Sequence, residues 1–308
     1  VDIDPKTLHY SARSLGALCR KDKAVKAVII QNTLGFPVDI QSFKRVCRSR
    51  SLILIEDLAH SAGGTYKGKK SVGTIGDMVI LSFSQDKIID GISGGALVIR
   101  NRKFIPSQSP HLPEPSPSQQ FKDRLYPFFT ALIRKSYTWG LGKILHRALR
   151  VTSLLSLPVQ RRFRPHSLPS WYAGLIFSSL SQNSESVSHR RQIARIYIDT
   201  LDSRLQLNVS GAQLMRATFV RFPIFVKNRQ KLIDYLRLNG VYVSDIWYDA
   251  PISPKKYLAF TSYRHNCPSA EKVAENILNL PTHRFISTAD AQEISHIINA
   301  WSKSQPRK

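Results

Sequence analysis

Four short apolar segments mark the first third of the chain. They comprise residues 24–30, 52–55, 78–83 and 96–99. Each segment is almost continuously aliphatic, which is typical of strands buried on both faces of a mostly parallel sheet. Between the first two, apolar residues recur at helical spacing within residues 39–50, and Asp39 is a candidate N-cap. The pattern therefore predicts a βαβ unit with a right-handed crossover and an α/β fold.

The character of the sequence changes after the fourth apolar segment. Residues 106–120 contain five of the 17 prolines, which is typical of a linker or an exposed loop. Residues 124–157 then show the apolar spacing of an amphipathic helix, with Lys and Arg largely off the apolar stripe. We therefore predict a large-domain core at 1–105, a Pro-rich linker and basic helical insertion at 106–170, and a small α+β domain at 171–308.

Composition narrows the class of protein. The chain has 308 residues and a formal net charge of +24, and its apolar fraction of 42% excludes a disordered polycation. The three cysteines are too few and too scattered for a disulfide framework or a thiolate metal cluster. We therefore expect no metal site and a reducing, cytoplasmic setting. The absence of an 18-residue apolar run argues against a conventional membrane span.

Three chemically distinct side chains lie close together in sequence near strand ends. Asp57 directly follows a buried strand, Ser82 ends another, and Lys87 follows in a glycine-bounded loop. Ligands of open α/β sheets bind outside the carboxyl ends of the strands, so we expect these groups at one rim. Pyridoxal phosphate needs a lysine amine, an acid at its ring nitrogen and donors for its phosphate. These residues therefore predict a site for that cofactor.

The same window resembles the DegT/StrS family of pyridoxal-phosphate-dependent sugar aminotransferases, which have the aspartate aminotransferase fold (fold type I). The similar motifs are IEDLAH (55–60), YKGKKSVGTIGD (66–77), SFSQDK (82–87) and ISGGALV (92–98). The resemblance covers most of the chain except residues 100–170. It implies a three-layer α/β/α large domain with a mostly parallel sheet and a smaller α+β C-terminal domain.

The motif positions carry the family's site residues onto this chain. By this resemblance, Lys87 is expected to be the catalytic Schiff-base lysine and proton shuttle, with a depressed pKa. Asp57 is expected to pair with the pyridinium nitrogen, His60 to contact the ring near its hydroxyl, and Ser82 to bind the phosphate. Tyr248 is a candidate substrate contact.

The resemblance also implies substrates and an assembly. These are a nucleotide-linked keto sugar, glutamate or glutamine as the amino donor, and a homodimer. Residue 1 aligns inside the family's pattern, so we expect that the chain lacks the family's N-terminal segment. The alternative is a non-catalytic, membrane-associated descendant that acts as a binding or scaffold protein. The intact set of Asp57, His60, Ser82 and Lys87 favours the enzyme.

Three interpretations remain open for the basic amphipathic segment, residues 124–164. In the first, its apolar stripe packs on the domain or across a dimer interface. In the second, Lys and Arg beside Phe128 and Trp139 bring it to an anionic membrane, with the protein at the inner membrane surface. The third, nucleic-acid binding, is disfavoured because the sequence has no zinc-ligand spacing, RNP motif or helix-turn-helix signature.

Overall fold

The computed structural model describes residues 1–156, 165–243 and 247–305. Within these ranges the chain forms ten α-helices and six β-strands. The helices are α1 (Ala12–Lys21), α2 (Ile40–Ser49), α3 (Pro117–Ser136), α4 (Leu141–Val151), α5 (Ser170–Ser181), α6 (Asn183–Thr200), α7 (Gly211–Arg216), α8 (Arg229–Leu238), α9 (Pro268–Asn276) and α10 (Thr288–Ser304). The strands are β1 (Ala27–Gln31), β2 (Ile53–Asp57), β3 (Met78–Ser82), β4 (Gly95–Ile99), β5 (Phe222–Phe225) and β6 (Ile277–Leu280).

Contacts along the chain divide it into two compact units. The first comprises Val1–Leu81, Leu97–Asn101 and Asn183–Lys308, and the second comprises Ser82–Ala96 and Arg102–Gln182. Both units therefore draw on segments that are distant in sequence. The three-domain division drawn from the sequence stays a prediction.

The main sheet has the strand order β1-β2-β3-β4. Strand β1 pairs with β2, and β2 with β3, in parallel. Helix α2 connects β1 to β2, so the predicted βαβ unit is confirmed. Asp39 does not cap the backbone of α2, because its carboxylate instead accepts a hydrogen bond from the hydroxyl of Ser42. Asp39 thus occupies the predicted N-cap position, but without the side-chain hydrogen bond of a capping residue.

One face of this sheet forms a core with α1 and α2. Alternate residues of the strands, Val28, Ile30, Leu54 and Val79, are buried there. The opposite face of β1 is more open, with Ile29 54% exposed, and β4 exposes side chains on both faces, with Leu97 58% and Val98 43% exposed. The prediction that the strands are buried on both faces is therefore wrong for β1, since α1 and α2 cover one side only, and for β4, which contributes no residue to this core.

The C-terminal part of the first unit is built around the antiparallel pair β5 and β6. Helices α6 and α8 both pack against α10. Large side chains of this region are almost completely buried, including Tyr197, Phe222, Leu236 and Ile298. This combination of helices and an antiparallel strand pair accords with the expected α+β character.

The second unit contains a hairpin of two helices, α3 and α4. Helix α3 begins at Pro117, inside the predicted linker, because the hydroxyl of Ser116 accepts a hydrogen bond from the Gln119 amide and caps the helix. The predicted single helix over 124–157 is interrupted at Gly140, where a φ of 84° separates α3 from α4. Residues 157–164 of the basic segment lie outside the described residues.

A buried carboxylate holds the loop between β2 and β3. The side chain of Glu56 is completely buried and accepts hydrogen bonds from the Tyr66 hydroxyl at 2.6 Å and the Gly73 amide at 2.7 Å. Its other oxygen accepts from the backbone amides of Ile75 and Gly76. All four donors belong to the glycine-rich motif 66–77, so one charged group fixes this loop against the sheet.

We predict that Glu56→Gln destabilises the protein by about 2–4 kcal/mol. The amide keeps one oxygen but turns an NH₂ group toward two of the four donors, which leaves them buried and unpaired. Urea unfolding measures the change, and Glu293→Gln, at an exposed position of α10, is the matched control. A loss for Glu56→Gln no larger than that of the control contradicts the anchoring role.

A second prediction concerns acid stability. Burial lowers the pKa of His9 from its ordinary value of 6.5 to about 4, and its buried Nε2 has no hydrogen-bond partner. Between these values the unfolded chain binds a proton that the folded chain does not. The free energy of unfolding is therefore unaffected by His9 above pH 6.5. It falls as the pH drops toward 4, and the loss from this group is about 3 kcal/mol at most.

Urea unfolding at several pH values tests this prediction. His9→Gln should flatten the pH dependence, whereas His111→Gln, at an exposed histidine, should leave it unchanged. Parallel curves for wild type and His9→Gln would show that His9 is not the responsible group.

Candidate active site

The parallel register of β1 and β2 brings two polar side chains together at their carboxyl ends. Gln31 and Asp57 are direct partners in this register. The Gln31 amide donates to Asp57 Oδ2 at 3.2 Å, and Asp57 Oδ1 accepts from the Ala59 amide at 2.9 Å. Because side chains alternate along a strand, Asp57 points away from the face that Glu56 occupies. A half-buried carboxylate is thereby held at the rim of the sheet.

His60 lies just beyond this rim and is buried. Its Nδ1 lies 3.4 Å from the donating amide of Leu34 and 3.2 Å from the Tyr248 hydroxyl. Its backbone carbonyl accepts from the Thr218 hydroxyl at 2.7 Å. These contacts come from three distant segments and fix both the ring and the backbone of His60.

Two adjacent aromatic residues close this cluster. The Tyr248 hydroxyl lies 3.5 Å from Gln31 Oε1, so Gln31 contacts both Asp57 and Tyr248. The Trp247 ring stacks on His60, with 5.0 Å between centroids and an interplanar angle of 22°. The buried guanidinium of Arg221 lies 4.7 Å from the Trp247 ring centroid, within cation–π range. The first unit therefore brings together three of the predicted residues, Asp57, His60 and Tyr248.

Sequence reasoning missed three members of this cluster. They are Gln31, Arg221 and Trp247. Gln31 ends an apolar strand segment, and the same strand-end rule that selected Asp57 also applies to it. Arg221 is a single charge beside an apolar strand, which is a signal for a buried functional cation. For Trp247, the sequence signal was its position directly before the candidate residue Tyr248.

Lys87 lies in the second unit, on a loop whose ends are held by backbone hydrogen bonds. The Phe83 amide donates to Gly94 O at 2.9 Å, and the Gly91 amide donates to Phe83 O at 2.8 Å. Gly94 has a φ of 99°, and a Cβ there would lie 2.7 Å from Leu168. The loop therefore requires glycine at this position, and it presents Lys87 with a half-buried side chain.

Ser82 lies at the start of the same loop. Its hydroxyl pairs with that of Ser84 at 3.1 Å, and the Lys87 amide donates to Ser84 O at 3.3 Å. Two hydroxyl groups and one amine thus share a short segment, and Ser84 was not identified from the sequence. The convergence of Ser82 and Lys87 with Asp57 on one cofactor stays a prediction.

Comparison with known proteins defines the class to which this fold and these motifs belong. The model of the DegT/DnrJ/EryC1/StrS aminotransferase family matches residues 1–106 and 167–299. The chain belongs to this family. The predicted family resemblance and the predicted class of enzyme are therefore confirmed, and a non-catalytic descendant is not favoured.

Individual relatives agree with this assignment. The chain is 35% identical to the uncharacterized protein MJ1066 of Methanocaldococcus jannaschii, across 98% of this chain and 72% of that protein. It is 24% identical to a GDP-perosamine synthase of Escherichia coli O157:H7, with the same coverage of both chains. The chain therefore spans about 72% of the length of these relatives.

Solved structures confirm the predicted fold class. The solved structure of E. coli GDP-4-keto-6-deoxy-D-mannose-3-dehydratase with bound hydrated pyridoxal phosphate matches this chain with a TM-score of 0.66 and 19% sequence identity. The match covers 96% of this chain and 72% of that chain. The mostly parallel α/β fold of type I is thereby supported, and the family uses pyridoxal phosphate.

The side chains on this chain fit that cofactor in their chemistry. Asp57 offers a half-buried carboxylate, Lys87 a half-buried amine, and Ser82 and Ser84 offer a pair of hydroxyl groups. These are the acid, amine and phosphate donors that pyridoxal phosphate requires.

We predict that Gln31→Leu weakens the binding of pyridoxal phosphate about tenfold, because Asp57 loses a charge-assisted hydrogen bond. An absorbance titration with the cofactor measures this affinity. Gln41→Leu, at an exposed position on α2, is the control and should bind as wild type does. Equal affinities for all three proteins would exclude Gln31 from a supporting role.

Proposed function

We propose that this chain is a pyridoxal-phosphate-dependent aminotransferase that moves an amino group from glutamate or glutamine to a nucleotide-linked keto sugar. The family match, together with an intact Lys87 in its motif, carries the proposal. The GDP-perosamine synthase among the relatives supports a sugar nucleotide as substrate. A cytoplasmic location is proposed with it, since sugar nucleotides are substrates of that compartment in this class of reaction.

In this proposal, the residues of the family motifs would hold the cofactor. Asp57 would keep a proton at the ring nitrogen, Ser82 would donate to the phosphate, and His60 would contact the ring. When bound, pyridoxal phosphate supplies an electron sink that permits a proton to leave the carbon bearing the amine. The network from Asp57 through Gln31 to Tyr248 supports the orientation of these groups.

Lys87 would be the residue of this chain that takes part directly in the reaction. Its amine would bind the cofactor covalently, be released when the donor arrives, and then carry a proton between carbon atoms. The stacked pair of His60 and Trp247 would exclude water from one side of the site. Tyr248 is retained as the candidate substrate contact.

Charge and assembly complete the proposal. A net charge of +24 attracts a nucleotide diphosphate over long range. We also propose a homodimer, as the resemblance implies. Light scattering of the purified chain measures its mass, and a dimer is the expected result.

The decisive experiment attaches the cofactor to the protein irreversibly. Wild type mixed with pyridoxal phosphate should turn yellow, and borohydride reduction should fix one cofactor on the peptide that contains Lys87. Lys87→Ala should lose the label, and its formation of 2-oxo acid from glutamate should fall by about 1000-fold or more. Lys67→Ala, at an exposed lysine, is the matched control.

Two outcomes contradict this proposal. Labelling that is spread over surface lysines in wild type and Lys87→Ala alike would remove Lys87 from the cofactor site. A labelled Lys87 without 2-oxo acid from either glutamate or glutamine would leave a cofactor-binding protein that is not this aminotransferase.

A further inference from the structure

The helical hairpin α3–α4 lies outside the part of the chain that the family model describes. The family match ends at residue 106 and resumes at residue 167, and both helices fall between these limits. The hairpin is therefore the part of the chain that the family model leaves unmatched between two matched segments. The proposed amino transfer assigns no role to the surface of this hairpin.

Helix α4 has one broad apolar face, and only one side of it is buried. Leu149 is buried, and Gly142 packs so closely on α3 that an added Cβ would lie 2.3 Å from the carbonyl oxygen of Ile133. The hairpin is thus already packed through this side. An apolar stripe on the other side is left uncovered.

The uncovered stripe follows the helical repeat. Leu141 (61% exposed), Ile144 (68%), Ala148 and Val151 (79%) recur at spacings of three and four residues. Trp139, which is 80% exposed, directly precedes the helix. Helix α3 adds further exposed apolar side chains on the same hairpin. These are Phe121, Phe128 and Leu132.

Cations lie beside this stripe on α4. Lys143, Arg147 and Arg150 are exposed and follow the same helical repeat on a neighbouring face of α4. Residues 117–156 contain a single acid, Asp123. That carboxylate is buried and accepts hydrogen bonds from Gln119 and from the Tyr172 hydroxyl. The exposed charge of the hairpin is therefore entirely positive.

We propose that the α3–α4 hairpin is a docking surface for an anionic membrane, on which α4 lies in the interface. An apolar stripe that is flanked by Lys and Arg and carries a Trp at its edge matches the boundary between lipid headgroups and acyl chains. A second copy of the chain fits less well, because identical cations would face each other.

The geometry favours lying on the membrane over crossing it. Among the described residues, no helix has the length and apolar composition needed to cross a bilayer. The 11 residues of α4 extend about 16 Å, roughly half of the hydrocarbon thickness. Docking through this surface does not depend on the proposed amino transfer, so the two proposals fail separately.

Vesicle flotation of the full chain tests the proposal. The chain should float with vesicles of phosphatidylcholine containing about 30% phosphatidylglycerol and stay behind with phosphatidylcholine alone. Trp139 emission should shift to the blue on binding, and Trp139→Phe should remove that shift. Binding should weaken with salt but not vanish, because the apolar part is not screened.

Paired variants separate the two components of the surface. Ile144→Ser with Val151→Ser should lower partitioning about tenfold, because less apolar area enters the interface. Leu238→Ser with Met215→Ser is the matched control, since both residues are exposed and apolar but lie on other helices. Circular dichroism and the urea midpoint confirm that each protein is folded.

Charge is tested in the same way. Arg147→Gln with Arg150→Gln should weaken binding about fivefold for each cation removed. Arg13→Gln with Arg20→Gln, two exposed cations on α1, removes the same charge elsewhere and should have the smaller effect.

Three results overturn the proposal. One is absence of binding to the anionic vesicles at low salt. Another is equal binding by hairpin variants and controls, which would leave only nonspecific attraction by the net charge. The third is a loss of oligomer mass in Ile144→Ser with Val151→Ser without loss of vesicle binding, which would make the stripe a contact between copies of the chain.

Discussion

The buried carboxylate of Glu56 is the constraint on which the first unit's sheet and rim depend. It satisfies four donors of the loop between β2 and β3, and one of them, the Tyr66 hydroxyl, also accepts a hydrogen bond from Asn32 at the end of β1. The Asn32 amide in turn reaches the hydroxyl of Ser61, next to His60. The hydrogen bonds to Glu56 offset the cost of burying its charge. Through Tyr66 and Asn32 they connect the ends of β1 and β2 with the loop between β2 and β3.

The rim follows from this arrangement through the alternation of side chains along β2. Glu56 turns to the face that packs with α1 and α2, so its neighbour Asp57 turns to the other face, where Gln31 meets it in register. A shift of register by one residue would exchange the two carboxylates and destroy both the anchor and the rim. The structural acid Glu56 and the candidate cofactor-binding acid Asp57 are therefore fixed by the same backbone pairing.

Sequence patterns predicted most of the helices and strands, but they predicted less well which faces of these elements are buried. Continuous aliphatic runs identified all four strands of the main sheet because burial of even one face selects aliphatic residues. They overestimated burial of Ile29, since exposure depends on which helices cover the sheet. Asp57, His60 and Lys87 were accessible through motif spacing. The contact of Gln31 with Tyr248 and the stacking of Trp247 on His60 were not, because each forms only after folding between residues far apart in sequence.

The hairpin shows why one amphipathic pattern allowed three interpretations. A helical repeat with cations beside it predicts an apolar face, but the apolar face of α4 is broad, and the sequence alone does not tell which side of it the fold covers. Packing on α3 uses the face of Leu149 and Gly142, so internal packing accounts for only part of the pattern. The exposed apolar stripe from Leu141 to Val151 is the part of the pattern that internal packing does not explain. Since water is a poor solvent for this apolar stripe, its exposure beside several cations requires an explanation outside the fold, and an anionic interface supplies both the apolar medium and the opposite charge.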